Sequence, residues 1–247
     1  EKKKYLILGA SSDIGSELVK DLNDTEKEAV MICHYRSQCE KLAEINLKNG
    51  NQIDFIQADL SLQDEVHALI DYVKRQYNSP VYIVHLPANK FEYTKLKTFS
   101  WETLQRDMEI QVHALIEIMK AFLPHMLKRD CMTKVVIMLS AYTMGNPPKY
   151  MMNYIVTKYA LLGLMKSLAI DYAGKNIRIN GISPSMMETK FLDNVDERIV
   201  QLNAYNSVGK RNAQVSDIVP AIRFLLSDAS NYLHGTNLNV TNGNIIS

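Results

Sequence analysis

Residues 5–15 read Tyr5-Leu6-Ile7-Leu8-Gly9-Ala10-Ser11-Ser12-Asp13-Ile14-Gly15, and the fold follows from how this stretch is read. Tyr5 to Leu8 is an apolar run of the kind that forms a strand buried on both faces. Gly9 ends it, and the amphipathic Glu17-Leu18-Val19-Lys20-Asp21-Leu22 comes after the turn, as a helix packed against that strand requires. Strand, glycine turn and helix in this order make a cradle for a diphosphate. Gly9 allows a tight turn, Gly15 lets the helix lie close to the sheet, and the helix start offers free N–H groups and the positive end of its dipole. A plain strand-to-helix turn with a Ser or Asp cap is the other reading of the same residues.

Outward from this turn the pattern repeats. Apolar runs at Tyr5–Leu8, Ala29–Cys33, Ile53–Ile56, Val81–Leu86, Val135–Leu139 and Ile177–Ile182 predict buried parallel strands. Between them, helical periodicity covers Ile14–Leu22, Gln38–Leu47, Gln63–Tyr77, Trp101–Met126 and Met152–Tyr172, each placed to cross from one strand to the next. Such alternation predicts an α/β protein with a doubly wound parallel sheet of the Rossmann type, its ligand crevice outside the carboxyl ends of the strands. No linker or repeat divides the chain, so residues 1–247 are expected to form one domain. Met186–Asn212 mixes polar and apolar residues and breaks the alternation. It is expected to be a substrate lid over 186–212.

The bulk properties narrow the partners. Lys and Arg number 28 against 27 Asp and Glu, a net charge of +1, so no overall field recruits nucleic acid or an anionic membrane. A small-molecule substrate and sister subunits are the expected partners. No apolar run approaches the roughly 20 residues of a membrane-spanning helix. The first residues, Glu1-Lys2-Lys3-Lys4, lead directly into the first strand, which leaves no room for a signal sequence in the chain as given. Cys33, Cys39 and Cys131 are too scattered for a disulfide framework, and a reducing, cytoplasmic setting is expected. Cys33, His34 and Cys39 lack a second ligand pair at zinc-site spacing, so no metal is expected.

Two motifs carry a family resemblance. Gly9-Ala10-Ser11-Ser12-Asp13-Ile14-Gly15 resembles the TGxxxGxG cofactor signature of the short-chain dehydrogenase/reductase family, with Leu8 in place of the usual Thr and Asp13 in place of the middle Gly. Tyr154-Ile155-Val156-Thr157-Lys158 resembles the family's YxxxK signature, and its spacing puts both side chains on one helical face. The chain is similar in pattern to the members that resemble 3-oxoacyl-acyl-carrier-protein reductases. The resemblance implies an oxidoreductase that passes a hydride between a nicotinamide dinucleotide and an alcohol or ketone.

It also implies roles for individual residues. Gly9, Ser11, Ser12, Ile14 and Gly15 would surround the diphosphate. Tyr35 and Arg36, at the end of the second strand, occupy the place where these enzymes discriminate the adenosine ribose. A carboxylate there favours NAD(H), whereas Arg36 offers a fork of donors to a 2′-phosphate, so NADP(H) is expected over NAD(H). Asp59 and Leu60 would meet the adenine, and Pro184 and Thr189 the nicotinamide side, with Ser185 replacing the usual Gly. Tyr154 would be the acid/base. Its phenol ordinarily titrates near 10, and work near neutrality asks for a fall of about 3, or roughly 4 kcal/mol, which Lys158 would supply together with the cofactor's charge.

Three positions depart from the family and leave alternatives. Ser140 lies 14 residues before Tyr154, one more than in many members, where this chain has Ala141; Pro147-Pro148 offers a local length change that restores Ser140 as the catalytic hydroxyl. Gln111 stands where the family has an asparagine holding a water on the proton path, and is assigned that relay. His85-Leu86-Pro87-Ala88-Asn89 replaces Asn-Asn-Ala-Gly, and Pro87 has no N–H to give. These departures motivate a second reading, a dinucleotide-binding regulatory or scaffold protein with reduced catalysis. Helices 101–126 and 152–172 correspond to those that pair across a two-fold axis in the family, which implies a homodimer or homotetramer.

Overall fold

The computed structural model of the chain describes residues 2–246. Seven strands form one sheet in the order β3-β2-β1-β4-β5-β6-β7. They are β1 (Lys4–Leu8), β2 (Val30–Tyr35), β3 (Gln52–Gln57), β4 (Tyr82–His85), β5 (Thr133–Met138), β6 (Ile177–Pro184) and β7 (Asn237–Val240). Every pairing is parallel. The strand order reverses at β1, which has β2 on one side and β4 on the other. Crossovers leave the sheet there in opposite directions, and the crevice between them opens above the carboxyl ends.

Eight helices cover the two faces: α1 (Asp13–Thr25), α2 (Glu40–Ala43), α3 (Gln63–Tyr77), α4 (Trp101–Met108), α5 (Ala114–Met126), α6 (Met152–Asp171), α7 (Glu197–Asn206) and α8 (Val215–Leu226). Because successive strand residues point to opposite faces, one core is built from alternate positions. Leu6, Leu8, Ile83 and Val135 pack with Leu69, Phe122, Leu161 and Met165 of α3, α5 and α6. The intervening residues Tyr5, Ile7, Val84 and Val136 pack with Leu18, Leu22, Ile218 and Leu225 of α1 and α8. The doubly wound class and its single sheet are thus as the alternation predicts.

The boundaries differ in three places. The helix expected over 38–47 is a single turn, α2, in which only Leu42 is buried. Its continuation is prevented by Asn23, whose side chain donates to the Asn46 carbonyl at 2.9 Å and accepts from the Lys48 N–H at 3.0 Å. The helix expected over 101–126 is interrupted by a π turn at Glu109–His113, a feature that inserts one residue into the helical ladder and is common at functional sites. The segment 186–212 is more ordered than its composition suggests, since it contains α7 and a short 3₁₀ turn at Lys190–Leu192.

The turn after β1 is the tightest fit in the sheet. Gly9 has φ +75°, and a Cβ on Gly15 would lie 2.5 Å from the Gly9 carbonyl oxygen and 2.6 Å from that of Ala10. Both neighbours are backbone, so neither can yield. Gly15→Ala is therefore expected to cost at least about 2 kcal/mol of unfolding free energy, read as a lower denaturant midpoint at unchanged slope. A variant as stable as the parent would contradict this packing.

Candidate active site

The carboxyl ends of β1 to β6 deliver the residues that line a cavity of about 620 Å³. At one end lies the glycine turn. Its backbone is pinned by His34, which accepts from the Gly9 N–H on Nδ1 at 3.0 Å and donates from Nε2 to the Ala58 carbonyl at 2.9 Å. Both roles can be filled only by the neutral ring, and burial lowers the His34 pKa accordingly. Ser12 caps α1, accepting from the Gly15 N–H at 3.0 Å. Asp13, the departure from the family pattern, is neutralised: its carboxylate receives Lys41 Nζ at 2.8 Å and the Lys190 N–H at 2.8 Å. Partial burial works to raise its pKa, but these two donors hold it below the usual carboxylate value. Asp13 thereby joins the start of α1 to the segment expected as a lid.

Gly9, Ser11, Ser12 and Ile14 line the cavity, as do Arg36, Asp59 and Leu60. Two residues assigned to the cofactor do not. Tyr35 follows His34 on β2, and strand alternation gives the cavity side to His34 and Arg36. Gly15 lies beneath the turn, where its role is close packing rather than contact. Asp59 accepts from the Ser61 N–H and hydroxyl at 2.9 and 2.7 Å, which anchors the loop after β3 at the mouth.

At the other end Tyr154, Ser140 and Lys158 converge. Ser140 terminates β5 and caps the following turn, accepting from the Tyr142 N–H at 3.3 Å. Its hydroxyl stands near the Tyr154 phenol, close enough to favour the phenolate. The extra residue is absorbed in the loop after Ala141–Thr143, so Ser140 and not Ala141 meets the tyrosine. Lys158, one turn along α6, is 2% exposed. It donates to the Met138 carbonyl at 2.9 Å and lies 5.7 Å from the centre of the Tyr154 ring.

The electrostatics differ from the expectation of an activated phenol. Burial pushes the Tyr154 pKa up to about 12, against a lowering by the nearby Ser140 hydroxyl. Burial likewise brings Lys158 down to about 7, with Asp107 on α4 pulling it back up. Without a bound ligand, Tyr154 therefore keeps its proton at neutral pH and Lys158 is close to its midpoint. Asp107 was not apparent from the sequence. It accepts from Asn89 Nδ2 at 2.6 Å, and its own pKa is raised by burial.

Gln111 does not reach the cavity. It sits in the π turn, and its carbonyl accepts from His85 Nε2 at 2.8 Å. Its side-chain Oε1 is buried without a protein partner, as is His85 Nδ1. Burial and then the Lys158 charge bring the His85 pKa down to about 3, so this ring is neutral and serves as a strut, not a base. Gln111 is thus held by its backbone at the polar end of β4 and is not among the residues that line the cavity.

Pro184 and Thr189 line the cavity after β6. An aromatic group closes it over Tyr154. Phe91, from the loop after β4, and Phe191 each stand 5.9 Å from the Tyr154 ring centre. Periodicity gave no sign of Phe91, because its loop has none. Among the described residues, no three His, Cys, Asp or Glu side chains group as a metal would need.

A protein-family model described as enoyl-(acyl carrier protein) reductase matches residues 9–244. The chain is 25% identical to 3-oxoacyl-(acyl-carrier-protein) reductase FabG of Staphylococcus aureus, over 98% of this chain and 97% of that protein. It is 24% identical to nodulation protein G of Rhizobium meliloti, over 98% and 96%. Among solved structures, L-sorbose reductase from Gluconobacter frateurii, complexed with NADPH and L-sorbose, superposes with a TM-score of 0.86 at 22% identity, covering 100% of this chain and 98% of that one. A gluconate 5-dehydrogenase from Burkholderia cenocepacia, in complex with NADP and tartrate, gives 0.84 at 22% identity, covering 98% and 94%. These structural likenesses concern the fold.

The buried lysine gives a direct test. In protein carrying ¹³C at lysine Cε, NMR titration is expected to show one signal with its midpoint near pH 7 that disappears in Lys158→Met. Lys134, held down by burial to about 8, gives a second shifted signal that survives. Asp107→Asn should move the Lys158 midpoint lower, since the carboxylate favours the ammonium. A Lys158 signal near the ordinary 10.5 would contradict the geometry.

Proposed function

The chain belongs to the short-chain dehydrogenase/reductase family, and on that footing we propose that it is a nicotinamide-dependent oxidoreductase interconverting an alcohol and its ketone. The observation that carries this reading is the convergence of Ser140, Tyr154 and a buried Lys158 at one end of a cavity that runs back to the glycine turn.

The residues fit a dinucleotide. The start of α1 has amides without helical partners, Gly9 keeps the approach free of a side chain, Gly15 lets the helix lie close beneath it, and the cavity spans the ends of β1 to β6. Arg36 lines the mouth, with no carboxylate at the end of β2. This guanidinium supports NADP(H) over NAD(H), and Arg36 is the donor assigned to the 2′-phosphate. When bound, the nicotinamide supplies or accepts the hydride. Pro184 and Thr189 border its side of the pocket.

The protein's own residues handle the proton. In reduction, Ser140 Oγ–H holds the substrate oxygen, and Tyr154, which keeps its proton in the free protein, donates it to that oxygen. The Lys158 ammonium offsets the phenolate left behind. Because this ammonium is close to its midpoint, the kcat/KM for reduction is expected to decline as pH rises through about 7. Residues 186–212 act as the lid, latched to α1 by the Asp13 bond to the Lys190 N–H. Its release and reclosure admit substrate.

The same reading makes the protein a cytoplasmic homodimer or homotetramer. All three cysteines are free, and no helix among the described residues is long and apolar enough to cross a membrane. Ile116 on α5 and Val156 and Tyr159 on α6 are exposed apolar residues suited to a two-fold contact.

Tyr154→Phe is expected to abolish NADPH-dependent carbonyl reduction while leaving NADPH affinity, measured by nicotinamide fluorescence, within about twofold; Lys158→Ala should impair both. Ser140→Ala should raise the barrier by about 2–4 kcal/mol. Full activity in Tyr154→Phe would overturn the mechanism.

Titration of the unmodified protein should give tighter binding of NADPH than NADH, and Arg36→Ala should narrow the difference by about tenfold, the worth of one charge-assisted contact. Equal affinities in the unmodified protein would remove the cofactor argument.

A further inference from the structure

The walls around Tyr154 carry information about the substrate. The Phe91 ring meets the Tyr154 ring edge-on, at 82°, and the Phe191 ring meets it at 49°. The two phenylalanines are themselves 6.4 Å apart, and the Phe91 N–H donates to the Phe191 carbonyl at 3.2 Å. That backbone bond ties the loop after β4 to the lid, so the aromatic pair forms a roof over the acid/base residue. Met151 and Val195 pack against it and are 8% and 9% exposed.

Hydrogen-bonding capacity is scarce here. Asn89, on the same loop, gives its amide to Asp107 at 2.6 Å, and Lys90 is paired with Asp193 at 2.7 Å. Ser140 and Tyr154 face the reacting oxygen, which leaves the hydroxyls of Tyr93 and Tyr142 beside the rings, while Ser185 after β6 and Asn203 and Asn206 on α7 are the other uncommitted polar side chains of this end of the cavity. A sugar or polyol carries a hydroxyl on almost every carbon, and each one buried against Phe91, Phe191 or Met151 would lose its water without gaining a partner. A hydrocarbon or aryl group loses nothing there and gains by leaving water. Its ring can also adopt the edge-to-face contacts that Phe91 already makes.

We propose that the substrate is an apolar ketone or the corresponding secondary alcohol, bearing an aromatic or hydrocarbon substituent that packs against the roof formed by Phe91 and Phe191, and not a polyhydroxylated sugar. The inference rests on the oxidoreductase reading. The chemistry is the balanced exchange already described: hydride to the carbonyl carbon, the Tyr154 proton to its oxygen, and the reverse for the alcohol.

The test follows NADPH oxidation by the full chain with benzylacetone and with fructose, alongside Phe91→Ala, Phe191→Ala and the milder Phe91→Leu and Phe191→Leu. The expected result is a kcat/KM at least about 100-fold higher for benzylacetone, from burial of its phenyl ring. The alanine variants should lose about tenfold or more with benzylacetone and little with fructose, and the leucine variants should recover most of the loss. Calorimetric titration of benzylacetone into Tyr154→Phe saturated with NADP⁺ should give a negative heat-capacity change that shrinks in Phe191→Ala. Fructose turned over as well as or better than benzylacetone would overturn the substrate class and leave the oxidoreductase intact. Turnover of neither, with no heat of benzylacetone binding, would overturn this proposal, while NADPH oxidation with some third carbonyl would spare the reading it rests on.

Discussion

How closely α1 approaches the end of β1 governs what the crevice can hold. Helix and turn are in backbone contact at Gly15, where even one methyl group would meet two carbonyl oxygens. This contact aims the unpartnered amides of α1 along the crevice at β1 and β4. His34 then fixes the turn from below, joining the ends of β1, β2 and β3 through one neutral ring. Pro87 closes on Gly9 from the β4 side, where a Cβ at Gly9 would lie 3.3 Å from the proline nitrogen. The proline therefore costs little in lost hydrogen bonding, because its place is one of contact and not of donation.

At the far end the governing fact is burial. A phenol and an ammonium removed from water both move toward their neutral forms, and Tyr154 and Lys158 do so together. For a reductase this is a useful starting state, since the acid arrives protonated and the base beside it responds to small changes of field. Asp107 contributes part of that field from α4 while Asn89 holds it in place. Added charge in the crevice, on substrate or cofactor, would shift the balance further.

The sheet was legible because its signals are periodic. Val135 to Met138 reads as a buried strand from composition alone, and Tyr154 and Lys158 share a helical face by simple spacing. The positions misread are those decided by tertiary partners. Tyr35 has the chemistry of a ribose contact, but the phase of β2 gives the cavity side to its neighbours His34 and Arg36. Gln111 has the amide expected of a relay, yet the π turn commits its carbonyl to His85, and no local pattern announces a π turn. Phe91 and Asp107 escaped notice because their importance comes from what lies across the cavity. Ser140 stands in the cavity with Tyr154 despite the irregular spacing, because the loop that carries two prolines takes up the extra residue.

The central claim is that one crevice binds a nicotinamide dinucleotide along its length and presents its reactive end to Tyr154. The most direct measurement is a crystal structure of the chain grown with NADPH. The account predicts the diphosphate over the N–H groups at the start of α1, the adenosine beside Arg36, and the nicotinamide between Pro184 and Tyr154. Density for the nucleotide outside this crevice, or with the nicotinamide turned away from Tyr154, would contradict it.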